Sequence, residues 1–595
     1  MTTLLRAIRQ LLRLAVRCDA RRLTRAVALL AVGYLSTPLI AVCLKSLTTA
    51  ALARSAATGT WLALTTALLL VLELMMTHFA HLSYFELGEL EELALQNEVI
   101  SLAHGTTGLE QLDRPGFADT LALVREELPR TRAALEAVLQ LGGMALQLTV
   151  TTVLLGLLNP WLLLLILAAL VPVAAGNRAQ LLIDRAKETA APRIRLGRHL
   201  LELATAEASA KEVRLSGAEA VLTERQRRDW RSVTATLWRA QASAALLRAV
   251  GQLVFAAAYG GAIVLVVRQA LSGGSGLGDV ILVITLAAQV SFQVSTTLGL
   301  LTILQGAGRT LERLHSLRVA HRPDTAASTG TSGVPSALTM GIRLEEVSFS
   351  YPGSDRKILD RVTLDIPAGT ALALVGENGA GKSTLVKLLC GLYRPTGGRI
   401  LVDGVDLAER GPEEWQRRTA TLFQDFARLE LRLRDNVGVG DLDLLDDDAA
   451  LRQSIDAADA GPIPDHVPGG LDGLLGHSYG DGAELSGGQW QKLGLARALL
   501  RRRPLLVALD EPASALDATA EHALFERFAD LATEARTDTG AVTLLVSHRF
   551  STVRMADLIV VLEQGRISEL GTHAQLAAAG GLYAELYDLQ ARVYT

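Results

Sequence analysis

Apolar residues gather in six long runs over the first half of the chain, at residues 26–44, 61–82, 137–158, 161–176, 249–267 and 280–304. Most have the roughly 20 residues that carry a helix across a bilayer core. The run from Trp161 is short, and only Asn159-Pro160 separates it from the run before. Proline starts a helix well but cannot continue one, so a tight turn between two spans is predicted there. Hydropathy falls after Leu317, and Arg322 to Ser336 has the composition of a linker. Short strand-like apolar runs then alternate with helical ones, which predicts an α/β domain. The pattern thus divides the chain into an all-α membrane domain of six spans over 1–318, a linker over 319–340 and an α/β domain over 341–595.

Charge in the connectors orients the spans. Arg114, Arg125, Arg130 and Arg132 follow the second run, and Arg185, Lys187, Arg193, Arg195, Arg198, Lys211 and Arg214 follow the fourth. The other three connectors hold Lys45 and Arg54, no basic residue, and Arg268. Positive charge therefore alternates between sides. That places both chain ends, both long connectors and the α/β domain in the cytoplasm of a multi-pass protein of the cell membrane. Before the first run stand Arg6, Arg9, Arg13, Arg17, Arg21, Arg22 and Arg25 among leucines. A signal peptide also begins this way, but no small-residue cleavage site follows, and a basic amphipathic helix on the inner membrane surface is the better reading. The long connectors read as charged helices leaving the membrane, with breaks at Leu112–Asp119 and Ala210–Gly217 suited to touch another domain.

Polar residues inside the spans leave two readings open. Glu73, Thr77 and His81 share one helix face, as do Gln289, Gln293 and Thr296, and Gln140 and Gln147 are one heptad apart. They fit a polar substrate pathway, or hydrogen bonds between helices.

Composition narrows the class further. Half the residues are hydrophobic and mean hydropathy is +0.29, as membrane spans require. A net charge of −4 gives no case for a nucleic-acid partner. Cys18, Cys43 and Cys390 show no pairing or metal-ligand spacing, which suits a soluble part in a reducing cytosol.

The chemistry starts at Gly376-Glu377-Asn378-Gly379-Ala380-Gly381-Lys382-Ser383, which fits G-x-x-x-x-G-K-[ST]. A strand-like run, Thr370–Val375, precedes it, and a helical one from Thr384 follows. Glycines let successive backbone N–H groups turn toward a polyanion, Lys382 would reach the β- and γ-phosphates, and Ser383 would offer its hydroxyl to Mg²⁺. Leu505–Leu509 is an apolar strand ending in Asp510 and Glu511, an acid for Mg²⁺ and a base to polarise the attacking water. Ser486-Gly487-Gly488-Gln489 opens a second helix suited to phosphate. Gln424 stands at a strand end, where its amide could reach metal or water, and His548 closes the strand Val542–Val546. Taken singly, a strand-end histidine is more often structural, whereas the strand ending in two acids reads as functional, with a buried strand merely capped by acids as the alternative.

The order of these motifs, with Ser514-Ala515-Leu516-Asp517 between Glu511 and His548, resembles the ATP-binding cassette superfamily. With six preceding spans the chain resembles an exporter-type half-transporter, so the α/β domain is expected to be a P-loop ATPase. The resemblance implies ATP and Mg²⁺ as ligands, stacking of adenine on Tyr351, γ-phosphate sensing by Gln424, and Asp517 at a dimer interface. It also makes the two connector breaks coupling helices. In this family each ATP lies between the phosphate loop of one ATPase domain and the Ser486-type motif of another. A second copy, or a homologous half-transporter, is therefore an expected partner. The implied activity is ATP-driven export of an amphipathic drug-like molecule, lipid or modified peptide; a lipid flippase and a siderophore-type importer are the alternatives. No cysteine-protease stretch precedes the first span, so a peptidase-containing peptide exporter is not expected. Trp490, Ala513 and the stretch Ser478–Gly482 depart from the usual pattern, away from the phosphate chemistry.

Overall fold

The computed structural model describes residues 2–105, 108–273, 275–320, 333–477, 479–511, 529–530, 532–547 and 550–591. Contacts divide the chain into two units, Met1–Val99 with Ala122–Ser316, and Ile100–Leu121 with Leu317–Thr595.

The first unit is helical. Its long elements are α1 (Thr2–Leu52), α2 (Ala56–His104), α4 (Arg130–Leu158), α5 (Leu164–Thr205), α7 (Glu219–Leu271) and α8 (Leu277–Ala320); α3 (Pro115–Glu127) and α6 (Glu207–Leu215) are short. Among the described residues six helices are long and apolar enough to cross a membrane, and each contains one of the runs read from the sequence. Most of the helices are far longer than their apolar runs because the charged connectors continue them, α4 with 29 residues being only slightly longer. The fourth run begins in the 3-10 turn Pro160–Leu163 and continues as the opening of α5, a helix of 42 residues.

Local chemistry sets the breaks. Asp19 leaves helical geometry (φ −161°, ψ 95°), and its carboxylate accepts from the N–H groups of Arg21 and Arg22 at 2.9 and 3.0 Å. It therefore caps the spanning part of α1 and separates it from the basic segment before it. In that segment Ala7, Leu11 and Ala15 are buried at helical spacing while Arg6, Arg9, Arg13 and Arg17 are exposed, the amphipathic face expected. Asn159 accepts from the N–H of Trp161 at 2.9 Å and opens a 3-10 turn, Pro160–Leu163, between α4 and α5. The predicted tight turn is there. Lys45 pairs with Asp279 at 2.7 Å, tying α1 to α8 just outside their apolar runs.

The second unit is α/β. A four-stranded antiparallel sheet, in the order β2-β1-β4-β5, is built from β1 (Gly341–Phe349), β2 (Leu359–Pro367), β4 (Gly397–Val402) and β5 (Val405–Asp406). The second sheet runs β10-β9-β3-β8-β7-β6, from β3 (Ala371–Val375), β6 (Thr419–Leu422), β7 (Leu506–Asp510), β8 (Val542–Val546), β9 (Leu558–Glu563) and β10 (Arg566–Gly571). Its strands β9, β3, β8, β7 and β6 are parallel and β10 is an antiparallel edge. β7 and β8 are buried at every position, as strands covered on both faces must be.

Two cores result. One joins both sheets to α9 (Lys382–Leu389) and to Trp415 of α10 (Pro412–Arg417), whose indole N–H donates to Leu389 O at 2.8 Å. The other packs α11 (Leu433–Gly438), α12 (Asp448–Ala457), α13 (Ile463–His466) and α14 (Gly487–Leu499) around Leu433, Ile455, Trp490 and Leu493. Trp490, unusual beside the second helix motif, is 5% exposed because it fills this second core.

Candidate nucleotide site

β3 ends at Val375 and the chain turns at Gly376 with φ 151°. A Cβ at Gly376 would stand 2.2 Å from the carbonyl oxygen of Leu562, so a side chain there would push loop and strand β9 apart. Gly381 (φ 105°) ends the loop, where a Cβ would meet Leu359 Cδ2 at 2.8 Å. Only glycine meets both conditions, positive φ and close approach. Between them Glu377, Asn378 and Gly379 are exposed, and the N–H of buried Ala380 donates to Glu377 O at 3.2 Å.

The loop delivers Lys382 to the first turn of α9. Its ammonium donates to the carbonyls of Gly376 at 2.8 Å and Glu377 at 3.0 Å, and the residue is 6% exposed. Burial draws the Lys382 pKa below the ordinary lysine range, while the Glu511 and Asp510 carboxylates oppose that shift. The charge stays inside the loop, where a polyanion would meet it.

Asp510 closes β7 and is buried. Burial raises its pKa against the opposing hydrogen bond from Ser383, and the neighbouring Glu511 raises it further. Its Oδ1 has no hydrogen-bond partner among the described residues. A buried carboxylate oxygen without a partner is costly, and beside a serine hydroxyl it matches the all-oxygen donor set of a hard divalent cation. Ser383 and Asp510 therefore fit Mg²⁺.

Gln424 and Glu511, far apart in sequence, meet directly: Gln424 Nε2 donates to Glu511 Oε2 at 2.7 Å. That bond uses the amide nitrogen and leaves Gln424 Oε1 outside it. Glu511 adopts φ 51°, a left-handed conformation that strains a side-chain-bearing residue, and its N–H donates to Val546 O at 3.0 Å at the end of β8. The fold thus spends strain to set this carboxylate one residue beyond Asp510.

Tyr351 lies next to α9, its hydroxyl 3.1 Å from Thr384 Oγ1. Its ring stands edge-on to Phe349 and to Tyr393, with centroids 5.0 and 5.4 Å away. The second helix motif is placed apart from the loop, on the other core. Ser486 Oγ accepts from Gln489 N at 3.3 Å while Gln489 Oε1 accepts from Ser486 N at 2.8 Å, a reciprocal cap at the start of α14. This commits the Gln489 side chain to the cap and leaves the exposed Gly487 and half-buried Gly488 on the surface. Asp517 and His548, with Ala513 and Ser478, lie outside the described residues.

The sequence singled out the connector break at Leu112–Asp119 as suited to touch another domain, but not its partners Leu392, Tyr393 and Arg394. Leu109 N–H donates to Leu392 O at 2.8 Å, Arg394 N–H donates to Glu110 Oε1 at 2.7 Å, and the Tyr393 hydroxyl donates to Asp113 Oδ2. Burial, then the Asp113 carboxylate, push the Tyr393 hydroxyl pKa up. The first connector break, with α3 beginning at Pro115, is therefore fastened to the turn after α9. A chain of contacts, Thr384–Tyr351–Tyr393–Asp113, joins it to the phosphate loop's own helix. Sequence offered only Gly391-Leu392-Tyr393-Arg394-Pro395, an ordinary helix exit.

Comparison with known proteins agrees with this arrangement. The family model described as ABC transporter matches residues 359–514. The chain is 41% identical over 251 residues to an ATP-dependent lipid A-core flippase of Aromatoleum aromaticum, covering 42% of this chain and 40% of that protein. It is 36% identical over 242 residues to the subtilin transport ATP-binding protein SpaT of Bacillus subtilis, covering 41% of this chain and 38% of that one. The matches thus span about two fifths of the length of these curated relatives. The solved structure of a bacterial Atm1-family ABC exporter with ATP bound superposes with a TM-score of 0.76 over 96% of this chain and 98% of that one, at 23% identity, which shows a shared fold. Residues 359–514 accordingly match an ABC transporter domain, and the chain as a whole shares the fold of a solved ABC exporter.

Proposed function

We propose that the protein is an ATP-driven exporter subunit that moves an amphipathic cargo across the cytoplasmic membrane, with its ATPase domain on the cytoplasmic side. The observation that carries this reading is the meeting of Gln424 with Glu511 beside Asp510 and Ser383, at the end of a glycine loop holding Lys382, in a chain that also has six membrane-length helices.

Each residue has a physical task. Lys382 and the N–H groups of the loop and α9 hold the triphosphate. Ser383 and Asp510 hold Mg²⁺, which when bound neutralises charge on the β- and γ-phosphate oxygens. Glu511 accepts a hydrogen bond from the attacking water and polarises it, and the strained turn fixes where that acceptor stands. Gln424 orients Glu511 through its amide N–H and keeps its oxygen for metal or water. Tyr351 presents its remaining ring face to adenine. His548 and Asp517, outside the described residues, are assigned to the same site by the order of the sequence motifs alone.

Ser486 sits on the helical core rather than beside the phosphate loop, which supports a second copy as the partner that supplies this motif. Closure of two ATPase domains on ATP and their release after hydrolysis then switch the spans between inward and outward access. Relatives named as a lipid A-core flippase and a subtilin transport protein support outward movement over an importer built on the same exporter fold. Relatives named for lipid A-core and for subtilin support a lipid or a peptide as cargo. The test is ATP hydrolysis by purified protein in nanodiscs, with the mass of the assembly. A dimer whose hydrolysis rises with an amphipathic cargo is expected; a monomer with full turnover would contradict the shared site.

A further inference from the structure

The apolar runs contain no lysine or arginine; Arg25, Lys45, Arg178, Arg248 and Arg268 all stand outside them. One acid does enter: Glu73 lies within the second run, while Glu136 stands one residue before the third. Neither forms an ion pair among the described residues. Thr37 of α1 donates to Glu73 Oε1 at 2.8 Å. Tyr84 of α2 and Gln140 of α4 donate to Glu136 Oε1 at 3.2 and 2.9 Å, and His81 Nδ1 lies 2.7 Å from the same Tyr84 hydroxyl. The nearest arginine along α4, Arg132, is taken by Glu89 and Glu92. Both carboxylates are thus held by neutral donors, which position a charge without cancelling it.

A second observation comes from α8. Gln289 and Gln293 stand one turn apart, and Nε2 and Oε1 of both are buried without a hydrogen-bond partner among the described residues. Gln293 is 6% exposed. Two whole carboxamides left unpaired inside an apolar span are expensive, and such groups ordinarily find partners. Ala137 and Met144 of α4 pack with Leu300 of α8 and Tyr34 of α1, so the helix bearing Glu136 meets the helix bearing the carboxamides there.

We propose that the span interior takes a cationic, amide-bearing amphiphile, a positively charged peptide, in preference to an anionic phosphorylated lipid. The proposal rests on the exporter reading above and deepens it. A carboxamide offers both a donor and an acceptor, the complement of a peptide bond, and two of them one turn apart engage an extended backbone. Glu73 and Glu136 supply the counter-charge for lysine, arginine or an amino terminus. A phosphate entering the same space would meet two carboxylates and no base, and like charge in a low dielectric is strongly unfavourable.

The test uses the full chain in zwitterionic nanodiscs with three probes: a fluorescent lysine-rich amphipathic peptide, its glutamate-for-lysine counterpart, and a bisphosphorylated lipid A. Binding is read by anisotropy without nucleotide, and ATP hydrolysis in parallel. The lysine peptide is expected to bind tightest. Its half-saturation should rise about tenfold in Glu136→Gln or Glu73→Gln, the loss of roughly one charge contact. The double variant Gln289→Met with Gln293→Met should weaken both charged peptides alike. Tighter binding of lipid A or the glutamate peptide would overturn the proposal, as would unchanged half-saturation in the acid variants. A double variant that binds the peptide normally but loses dimer mass would also overturn it, making the carboxamides subunit contacts. Absent ATP hydrolysis in the wild type would instead defeat the exporter reading, while binding still decides the cargo.

Discussion

Replacing Tyr393 by Phe removes one hydroxyl from the fastening between the first connector and the ATPase domain and leaves the ring in place. Tyr393 is 4% exposed and its ring packs edge-on to Phe349 at 5.3 Å and Tyr351 at 5.4 Å, so Tyr393→Phe keeps the apolar contacts. What is lost is the bond to the Asp113 carboxylate. A hydrogen bond to a charged group contributes about 1.5–3 kcal/mol, but Asp113 is exposed and regains water when released. The expected loss is therefore about 1–2 kcal/mol, a factor of about 5–30 in the local opening equilibrium. Leu109 reports it directly, because its N–H donates to Leu392 O at 2.8 Å only while the segment is docked. Hydrogen exchange at Leu109 should quicken by that factor in Tyr393→Phe, with exchange at Leu374 in buried β3 unchanged. Adding Asp113→Ala to Tyr393→Phe should add little, since the two share one bond. Wild-type exchange at Leu109 in Tyr393→Phe would refute the reasoning.

Three further outcomes are expected. Lys382→Ala should weaken ATP binding by about 30-fold or more, as removing one partner of a desolvated charge pair costs about 2 kcal/mol at least; a nucleotide titration with unchanged affinity would remove Lys382 from the phosphate site. Gly376→Ala puts a Cβ 2.2 Å from Leu562 O and should destabilise the domain by about 1–3 kcal/mol, seen as a lower melting temperature that Glu377→Ala, at an exposed position, does not share. Asp403 accepts from the N–H groups of Thr339 at 3.0 Å, Met340 at 2.8 Å and Gly341 at 2.9 Å. Burial works against its ionisation, yet these bonds hold its pKa below the ordinary value. A depressed carboxyl pKa stabilises the fold above the unfolded pKa of about 3.9 and loses that effect as pH falls through the folded value. The melting-temperature gap between wild type and Asp403→Asn should then stay level from pH 8 to pH 5 and close below about pH 4; a gap that widens in acid would reverse the sign.

Legibility followed the range of the interactions. Spans and the phosphate loop were readable because apolar length and glycine spacing are local requirements. The Asn159-Pro160 turn was readable for the same reason, since Asn159 caps its own neighbour Trp161. The break at Asp19 was not: among arginines an aspartate reads as a charge partner, as it is to Arg22 at 3.6 Å, but it also accepts from two backbone N–H groups. The split of β1, β2, β4 and β5 into a separate antiparallel sheet was also hidden, because β4 pairs with β1 across β2, β3 and α9 and strand runs alone do not name their partners. At the site, Gln424 and Glu511 were each readable as strand-end groups, but their bond depends on β6 lying beside β7. Tyr393 was missed because its function comes from Asp113, in a connector that sequence assigns to the membrane half.

If Glu511 polarises the attacking water, both ATP turnover and cargo movement depend on its carboxylate. Glu511→Gln keeps the shape of the side chain and removes the base. In proteoliposomes carrying a labelled amphipathic cargo, the wild type should hydrolyse ATP and move the cargo in the same assay. The variant should still bind ATP, with hydrolysis lower by about 100-fold or more and no cargo movement. Hydrolysis and cargo movement at wild-type rates in Glu511→Gln would contradict the account.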